Sequence, residues 1–117
     1  MKTKLLIFTL LLISVSIFAQ QEPDVQFVKQ NSPRMYASIR TCSINKWQDD
    51  YEMIKYEIKK QCEATLKMAD YIINKDKDSI EYNIIVNAMI KWSDGDCTDY
   101  EMVVYEYEKQ IKAYNDL

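Results

Sequence analysis

Three cysteines are the residues in this chain best able to do chemistry, and their surroundings limit what that chemistry is. Cys42, Cys62 and Cys97 occur in a sequence of 117 residues that contains no histidine. A Ser-His-Asp triad, a Cys-His dyad and a His-ligated zinc or haem site are therefore excluded. Arg40 and Lys46 flank Cys42, but a nucleophilic cysteine also needs a base, so we expect structural cysteines and no catalytic residue.

The odd number of cysteines predicts one disulfide and one remaining thiol in an oxidising compartment. In the predicted bundle, the third helix runs back along the second and ends beside its middle, because each residue advances about 1.5 Å. Cys62–Cys97 is therefore the favoured pair, and Cys42–Cys97 is the close alternative. Cys42–Cys62 is disfavoured because the heights of the two residues differ by roughly 13 Å, whereas a disulfide needs Cα atoms within about 7 Å. The favoured pair leaves Cys42 free to link two copies of the chain or to act in a redox role.

Four acidic residues, Asp94, Asp96, Asp99 and Glu101, surround the only glycine of the chain, Gly95. Their spacing does not match the calcium loop of helix–loop–helix proteins, which ends in a glutamate at its last position. We therefore expect a polar turn followed by the acidic first turn of a helix, with no metal site and no cofactor. Eighteen acidic residues also allow a carboxylate pair for sugar hydrolysis, but the sequence singles out no two of them.

Aromatic residues are the enriched class, with nine tyrosines and two tryptophans. Tyr100, Tyr107 and Tyr114 fall on a heptad-like seam of the last predicted helix, so we expect them in the core. Exposed tyrosines are favoured at protein interfaces. Three further tyrosines fall off the apolar stripes and form the candidate interface with a protein partner: Tyr56, Tyr82 and Tyr105.

The first nineteen residues have the layout of a secretory signal peptide. Lys2 and Lys4 precede an apolar run over 5–18, and Ala19 offers a small residue for cleavage. The run is shorter than the about 20 residues that a membrane helix needs. We therefore predict cleavage and export to the periplasm or the cell exterior, with no membrane span afterwards; an uncleaved N-terminal anchor is the alternative.

Net charge narrows the range of partners. Removal of residues 1–19 leaves 13 basic and 18 acidic residues, a net charge of −5. Phosphate contacts need clustered Lys and Arg, so we expect no nucleic-acid partner, and the same sign disfavours anionic lipid. A protein partner is the expectation that is left.

The mature sequence is predicted to fold as a small all-α bundle of three or four helices with one disulfide. One glycine and two prolines leave few turns, which disfavours a many-stranded sheet. Residues 20–31 are polar and aperiodic, so we expect an extended or loose leader before a helical domain over 32–117. The Ser32-Pro33 pair starts the first helix, which runs to about residue 46, and apolar residues at helical spacing define the second over 51–74.

Two capping boxes predict the starts of the last two helices, with Asp78 and Thr98 as the capping residues. The third helix is apolar on almost every side, apart from a narrow strip of Asn83, Asn87 and Lys91. A helix whose polar residues form only one narrow strip is expected at the centre of a bundle.

A C-terminal hairpin within an α+β fold is the competing prediction. The segments 84–90 and 102–107 are rich in β-branched and aromatic residues, and Asp94-Gly95 between them is a turn signal. The all-α fold is favoured because no third strand is present to support the hairpin.

Several short motifs carry a family resemblance. They are Ala69-Asp70-Tyr71-Ile72-Ile73 with Asn74, then Ile90-Lys91-Trp92, Thr98-Asp99-Tyr100 and the junction Phe18-Ala19-Gln20. Together they resemble a pattern in a group of uncharacterised small secreted proteins of Gram-negative bacteria. The resemblance implies export and implies no activity.

The sequence as a whole predicts a non-enzymatic interaction module, such as an inhibitor, an immunity protein or a chaperone-like protein. The reasons are the missing catalytic constellation, the signal peptide and the tyrosines outside the core stripes. Two alternatives stay open at this point. One is a carboxylate-based hydrolase of envelope sugars, and the other is a redox or covalent role through the unpaired cysteine.

Overall fold

The computed structural model of the chain describes residues 22–117 and confirms the all-α prediction. Residues 1–21 lie outside the described part, and the predicted signal peptide over 1–19 lies there with them. The elements are α1 (Pro23–Asn31), α2 (Pro33–Trp47), α3 (Tyr51–Ile72), α4 (Ile80–Lys91), β1 (Ser93–Asp94), β2 (Cys97–Thr98) and α5 (Tyr100–Asn115).

Helix α1 corrects the prediction of an extended or loose leader over 20–31. Pro23 occupies the first turn, where its missing N–H costs nothing, and Asp24 follows in the same turn. Val25 and Val28 are three residues apart and are only 6% and 2% exposed. This short polar segment therefore forms a helix because its two valines pack against the bundle. Two apolar residues are too few to show a helical period in the sequence.

Three helices begin at a side chain that caps the first turn. Asp50, Ser79 and Asp99 each accept a hydrogen bond from the backbone N–H three residues on, at 3.1, 3.2 and 3.3 Å. The predicted capping residues, Asp78 and Thr98, are thus wrong by one position. In both cases the next residue is also a good capping residue: Ser79 follows Asp78, and Asp99 follows Thr98. The backbone is extended at Ser79 and Asp99, so these residues take the capping position.

Two hydrophobic cores adjoin at the middle of α3, which packs against the four other helices of residues 22–117. The first core joins α1 and α2 to Cys62 in the middle of α3, and the second joins the C-terminal part of α3 to α4 and α5. The first core consists of Val25, Val28, Ile39 and Cys62. The second core consists of Ala64, Met68, Ile85, Ala88, Val103, Val104 and Tyr107.

The central position belongs to α3, so the prediction that the helix over 80–91 is central is wrong. That helix, α4, packs against α5 and α3. Ile85 is 1% exposed in the second core, but Ile80 and Ile90 are 43% and 71% exposed. The polar strip is placed as predicted, since Asn83 and Asn87 are exposed. The apolar residues beside the strip are left without a partner in the described chain.

A small hairpin connects α4 to α5. Asp94 pairs with Cys97 in antiparallel register, and Gly95 takes a positive φ of 60° at the turn. The predicted turn at Asp94-Gly95 is therefore confirmed, but its strands have two residues each, and the segments 84–90 and 102–107 are helical. The core seam of α5 also ends earlier than predicted, because Tyr107 is buried and Tyr114 is 48% exposed.

Hydropathy along the helices bears on membrane insertion. Within residues 22–117, no helix combines the length and the apolar character that a membrane crossing requires.

Candidate functional site

The disulfide joins Cys42 of α2 to Cys97 of β2, with the two Cα atoms 5.8 Å apart. This is the alternative pairing, and the favoured Cys62–Cys97 pair is wrong. The hairpin lies at the predicted height along the bundle, but β2 packs against α2 and not against the predicted neighbour α3. The hairpin leans on α2, where the Ser38 hydroxyl donates a hydrogen bond of 3.0 Å to the backbone carbonyl of Asp96.

The unpaired cysteine is Cys62, and its surroundings oppose the redox and covalent alternatives. Its side chain is 0% exposed in the first core. Burial raises the pKa of the Cys62 thiol to about 11, and Asp24 and Glu22 on the N-terminal side add to the rise. A thiol that is neither accessible nor ionised is poorly placed to link two copies of the chain, so the burial of Cys62 counts against the covalent dimer through the odd cysteine, which stays a prediction.

The disulfide forms one edge of a cleft of about 560 Å³, a volume typical of ligand-binding clefts. Its walls come from α2, α3, the end of α4 and the hairpin. Ile39, Trp92 and the disulfide supply apolar surface. The remaining lining is polar or charged: Ser43, Asn45, Lys46, Glu57, Gln61, Lys91, Ser93, Asp94, Thr98 and Asp99.

Gln61 organises the polar floor of this cleft. Its side chain is 6% exposed, and its amide N–H₂ donates to Asp99 at 2.9 Å and to Glu57 at 3.4 Å. Its amide oxygen accepts from the backbone N–H of Tyr100 at 2.7 Å. Lys46 pairs with Glu57 at 3.0 Å. The floor is therefore a connected network whose members hold one another in place before any ligand arrives.

Lys46, Lys91 and Trp92 line the cleft, and Trp47 follows Lys46 in the chain. The Lys46 ammonium lies 5.3 Å from the ring centroid of Trp47, and the Lys91 ammonium lies 5.5 Å from that of Trp92. Lys91 also pairs with Glu106 on α5 at 3.0 Å. The indole N–H groups of both tryptophans are buried with no hydrogen-bond partner inside the described part of the chain. Trp92 lines the cleft, so its fluorescence is placed to report on an occupant.

The acidic residues near Gly95 divide between different tasks. Asp99 caps α5 and binds Gln61, whereas the Asp96 carbonyl holds α2. Burial, followed by the negative charges of Glu57 and Asp99, raises the pKa of Glu101. Across residues 22–117, no group of three or more acidic or cysteine side chains is gathered closely enough to hold a metal ion.

The three predicted interface tyrosines lie on three different helices, and none of them lines the cleft. Tyr56 and Tyr105 are 52% and 58% exposed, whereas Tyr82 is half-buried. The cleft itself was missed by the sequence analysis. Its one available signal was Gln61, a polar residue one position before a core cysteine on the longest helix.

Comparisons of this chain with protein-family models, with curated proteins and with solved structures found no match. The resemblance to small secreted proteins of Gram-negative bacteria therefore stays a prediction.

Proposed function

We propose that this protein is an exported, non-enzymatic binding module that holds a segment of a partner protein in the disulfide cleft. The observation that carries the proposal is the combination of an apolar wall with a prearranged polar floor. Trp92 and the disulfide, which are partly exposed, offer surface for an apolar side chain, and Gln61 fixes the polar groups beneath them. Such a surface needs little reorganisation to bind, which favours affinity.

The charges around the cleft favour a polypeptide over a polyanion. Lys46 and Lys91 are positive, whereas Glu57, Asp94 and Asp99 are negative. A nucleic acid or a sulfated sugar would meet these carboxylates at close range, while a peptide segment presents both signs, backbone donors and acceptors, and apolar side chains. Mixed polar groups around an apolar centre are the usual anatomy of a protein interface.

The chemistry of the cleft also supports binding over catalysis. Its two cysteines form the disulfide and have no thiol to offer. Glu57 is paired with Lys46, and Asp99 is used as the cap of α5. The expectation of export is consistent with the disulfide, since disulfides persist in oxidising compartments.

The proposal is tested by site-specific photo-crosslinking in cells that export the protein. A photoreactive amino acid is placed at Asn45 or at Ser93, two exposed residues that line the cleft, and at Lys109 as the exposed control on α5. We expect one adduct of defined mass at Asn45 and Ser93 and none at Lys109. A bulky Asn45→Trp substitution should abolish the adduct formed from Ser93.

Two results would overturn the proposal. One is the absence of an adduct at both cleft positions, and the other is an equal adduct at Lys109. Export is tested separately by the intact mass of the protein after expression, which should lack residues 1–19. A full-length mass would contradict cleavage without bearing on the cleft.

One observation favours a second candidate, the carboxylate-based hydrolase of envelope sugars. Glu57 and Asp99 accept from the same nitrogen of Gln61, so the two accepting oxygens are no more than about 6.3 Å apart. Retaining glycosidases place their carboxyl groups about 5 Å apart. This candidate requires that the wild-type protein release sugars from purified envelope polysaccharide and that Glu57→Gln and Asp99→Asn both abolish the release. Wild-type protein without activity would remove it.

A further inference from the structure

Helix α4 presents a seam of four exposed residues to solvent. Ile80, Asn83, Asn87 and Ile90 are spaced by three, four and three residues, the spacing of the contact positions of a coiled coil. All four are exposed, and they lie opposite Ile85, which is 1% exposed in the second core. The helix therefore uses one face to join its own bundle and turns a second regular face outward.

The seam reads the same in both directions about its midpoint, as Ile-Asn-Asn-Ile. An antiparallel copy of the helix would place Ile80 against the partner's Ile90 and Asn83 against the partner's Asn87. Twofold symmetry demands this kind of self-complementarity, because each residue of an isologous interface meets its counterpart twice. We propose that α4 is a homodimer interface in which a second copy of this chain packs antiparallel along these four residues.

The amide side chains support this pairing in chemical terms. Each asparagine carries a donor and an acceptor, so Asn83 and the partner's Asn87 can satisfy one another when water is removed between them. Asparagine at a contact position of a coiled coil fixes the register at some cost in stability. The isoleucines at the two ends supply the apolar contacts.

Charge placement favours the antiparallel orientation. Between Glu81 and Lys91, α4 contains no charged residue, so the middle of the seam brings no like charges together. Glu81 stands in the first turn of the helix and Lys91, which also pairs with Glu106, in its last turn. Antiparallel packing sets the acidic first turn of each copy beside the basic last turn of the other, and it also opposes the two helix dipoles.

The size of the seam predicts a weak dimer. A helix of 12 residues is about 18 Å long, and one face of it is small beside the roughly 800 Å² per partner of a standard interface. Tyr114 and Leu117 extend the apolar surface next to Ile80 across a shallow groove. We therefore expect a dissociation constant of roughly 10–100 μM, which corresponds to a free energy that a few apolar pairs supply.

The first experiment is sedimentation equilibrium of the purified protein from about 5 μM to about 1 mM, the range that brackets such an affinity. The wild-type protein should show a reversible dimer, and Ile80→Lys with Ile90→Lys should weaken it at least about tenfold. Ile73→Lys is the matched control, because Ile73 is 64% exposed at the end of α3 and outside the seam. Because all three isoleucines are exposed, the helical circular dichroism should be unchanged in both variants. A wild-type protein that stays monomeric throughout, or a dimer that the double variant leaves intact, would overturn the proposal.

The second experiment tests the register. Asn83→Cys and Asn87→Cys proteins are mixed in equal amounts, and copper(II) phenanthroline is added to oxidise thiol pairs to disulfides. Cys62 does not interfere because it is fully buried. We expect the mixed 83–87 disulfide to exceed clearly the half share that random pairing gives. A random distribution, or dominant 83–83 and 87–87 products, would contradict the antiparallel arrangement. Neither experiment depends on a ligand in the cleft, so the failure of the dimer and the failure of the proposed function are distinguishable.

Discussion

The two cores of this bundle share one helix but are stabilised in different ways. The second core buries seven residues from three helices that are each at least 12 residues long. The first core buries four residues and depends on α1, which has nine. We call the part around the first core, α1, α2 and the N-terminal part of α3, the first half of the molecule, and the remainder the second half. The first half therefore buries less apolar surface, and the Cys42–Cys97 disulfide links its helix α2 to the hairpin of the second half.

The second half has in addition a polar clamp outside its core. The Tyr71 hydroxyl donates a hydrogen bond of 2.6 Å to Glu108, and Lys67 pairs with the same carboxylate at 2.9 Å. Tyr71 also stacks on Tyr107, with ring centroids 4.6 Å apart. The part that holds the first core has ion pairs of its own, Lys46 with Glu57 at 3.0 Å and Lys55 with Glu22 at 3.9 Å. The two parts therefore differ most in apolar burial and in the disulfide, which ties α2 to the hairpin.

Removal of the disulfide is expected to have the largest effect on this balance. Cys42→Ser with Cys97→Ser should lower the free energy of unfolding by about 4 kcal/mol, because the bond closes a loop of more than fifty residues in the unfolded chain. Urea denaturation followed by circular dichroism measures the loss. Dithiothreitol should destabilise the wild-type protein similarly and leave the double variant unaffected. A loss below about 1 kcal/mol would mean that the first half is stable without the Cys42–Cys97 disulfide.

A matched pair of substitutions compares the two cores directly. Ile85→Ala in the second core should cost about 4 kcal/mol, and Ile39→Ala in the first core about 2.5 kcal/mol. Ile85 and Ile39 are both buried, at 1% and 3% exposure, so the difference reports how tightly each core surrounds the cavity that is left. Urea midpoints with an unchanged slope measure both values. The reverse order would show that the smaller core is the better packed.

The buried thiol of Cys62 reports the opening of the first half alone. Val28→Ala and Val103→Ala remove the same atoms from the first and second cores, where the two valines are 2% and 0% exposed. Val28→Ala should raise the rate at which a thiol reagent labels Cys62 about tenfold more than Val103→Ala does, because α1 covers this thiol and opens locally. Equal rates would mean that the thiol is exposed only when the whole bundle unfolds.

The polar clamp should make the smallest contribution, and its signature is the dependence on pH. Hydrogen bonds from Tyr71 and then Lys67 lower the pKa of Glu108. A carboxyl whose pKa is lowered on folding stabilises the fold at pH values above its ordinary pKa of about 4.3. This contribution is lost as the pH falls through the lowered pKa. Glu108→Gln should therefore cost less than about 1 kcal/mol at pH 7, since the carboxylate is half exposed.

The control for the clamp is Tyr71→Phe, which keeps the ring that stacks on Tyr107. It should cost less than Glu108→Gln, because the pair with Lys67 survives. Thermal melts between pH 7 and pH 3 follow both variants, and the gap between Glu108→Gln and the wild type should close below about pH 4. A gap that is constant with pH would mean that packing, and not charge, is responsible.

The parts of this fold that could be predicted from the sequence are those that local periodicity determines. The long apolar stripe of α3 and the proline that starts α2 placed both helices within two residues of their observed ends. The helix α1 was missed because two valines make too short a period. The position of α4 at the edge of the bundle was missed because the apolar pattern of a helix does not show whether other elements of its own chain cover all of its apolar faces.

The cleft could not be predicted because its residues come from separate elements. Lys46, Glu57 and Trp92 lie on α2, α3 and the end of α4, and no spacing in the sequence connects them. The cysteine pairing failed for a related reason. Helix length determines how far along the bundle Cys97 lies, but no spacing in the sequence shows that the hairpin leans toward α2, where Ser38 binds the Asp96 carbonyl.

The position of Cys62 in the first core has a consequence for the order in which the chain matures. A chain that emerges N-terminus first presents Cys42 and Cys62 well before Cys97, when the only available oxidation product is the wrong pair. Every buried residue of the first core precedes residue 63, and only the half-buried Leu66 and Tyr100 that pack against it come later, so α1, α2 and the first half of α3 supply most of the cover over the Cys62 thiol. Burial of Cys62 then prevents its oxidation with Cys42, and Cys42 stays available until Cys97 is present.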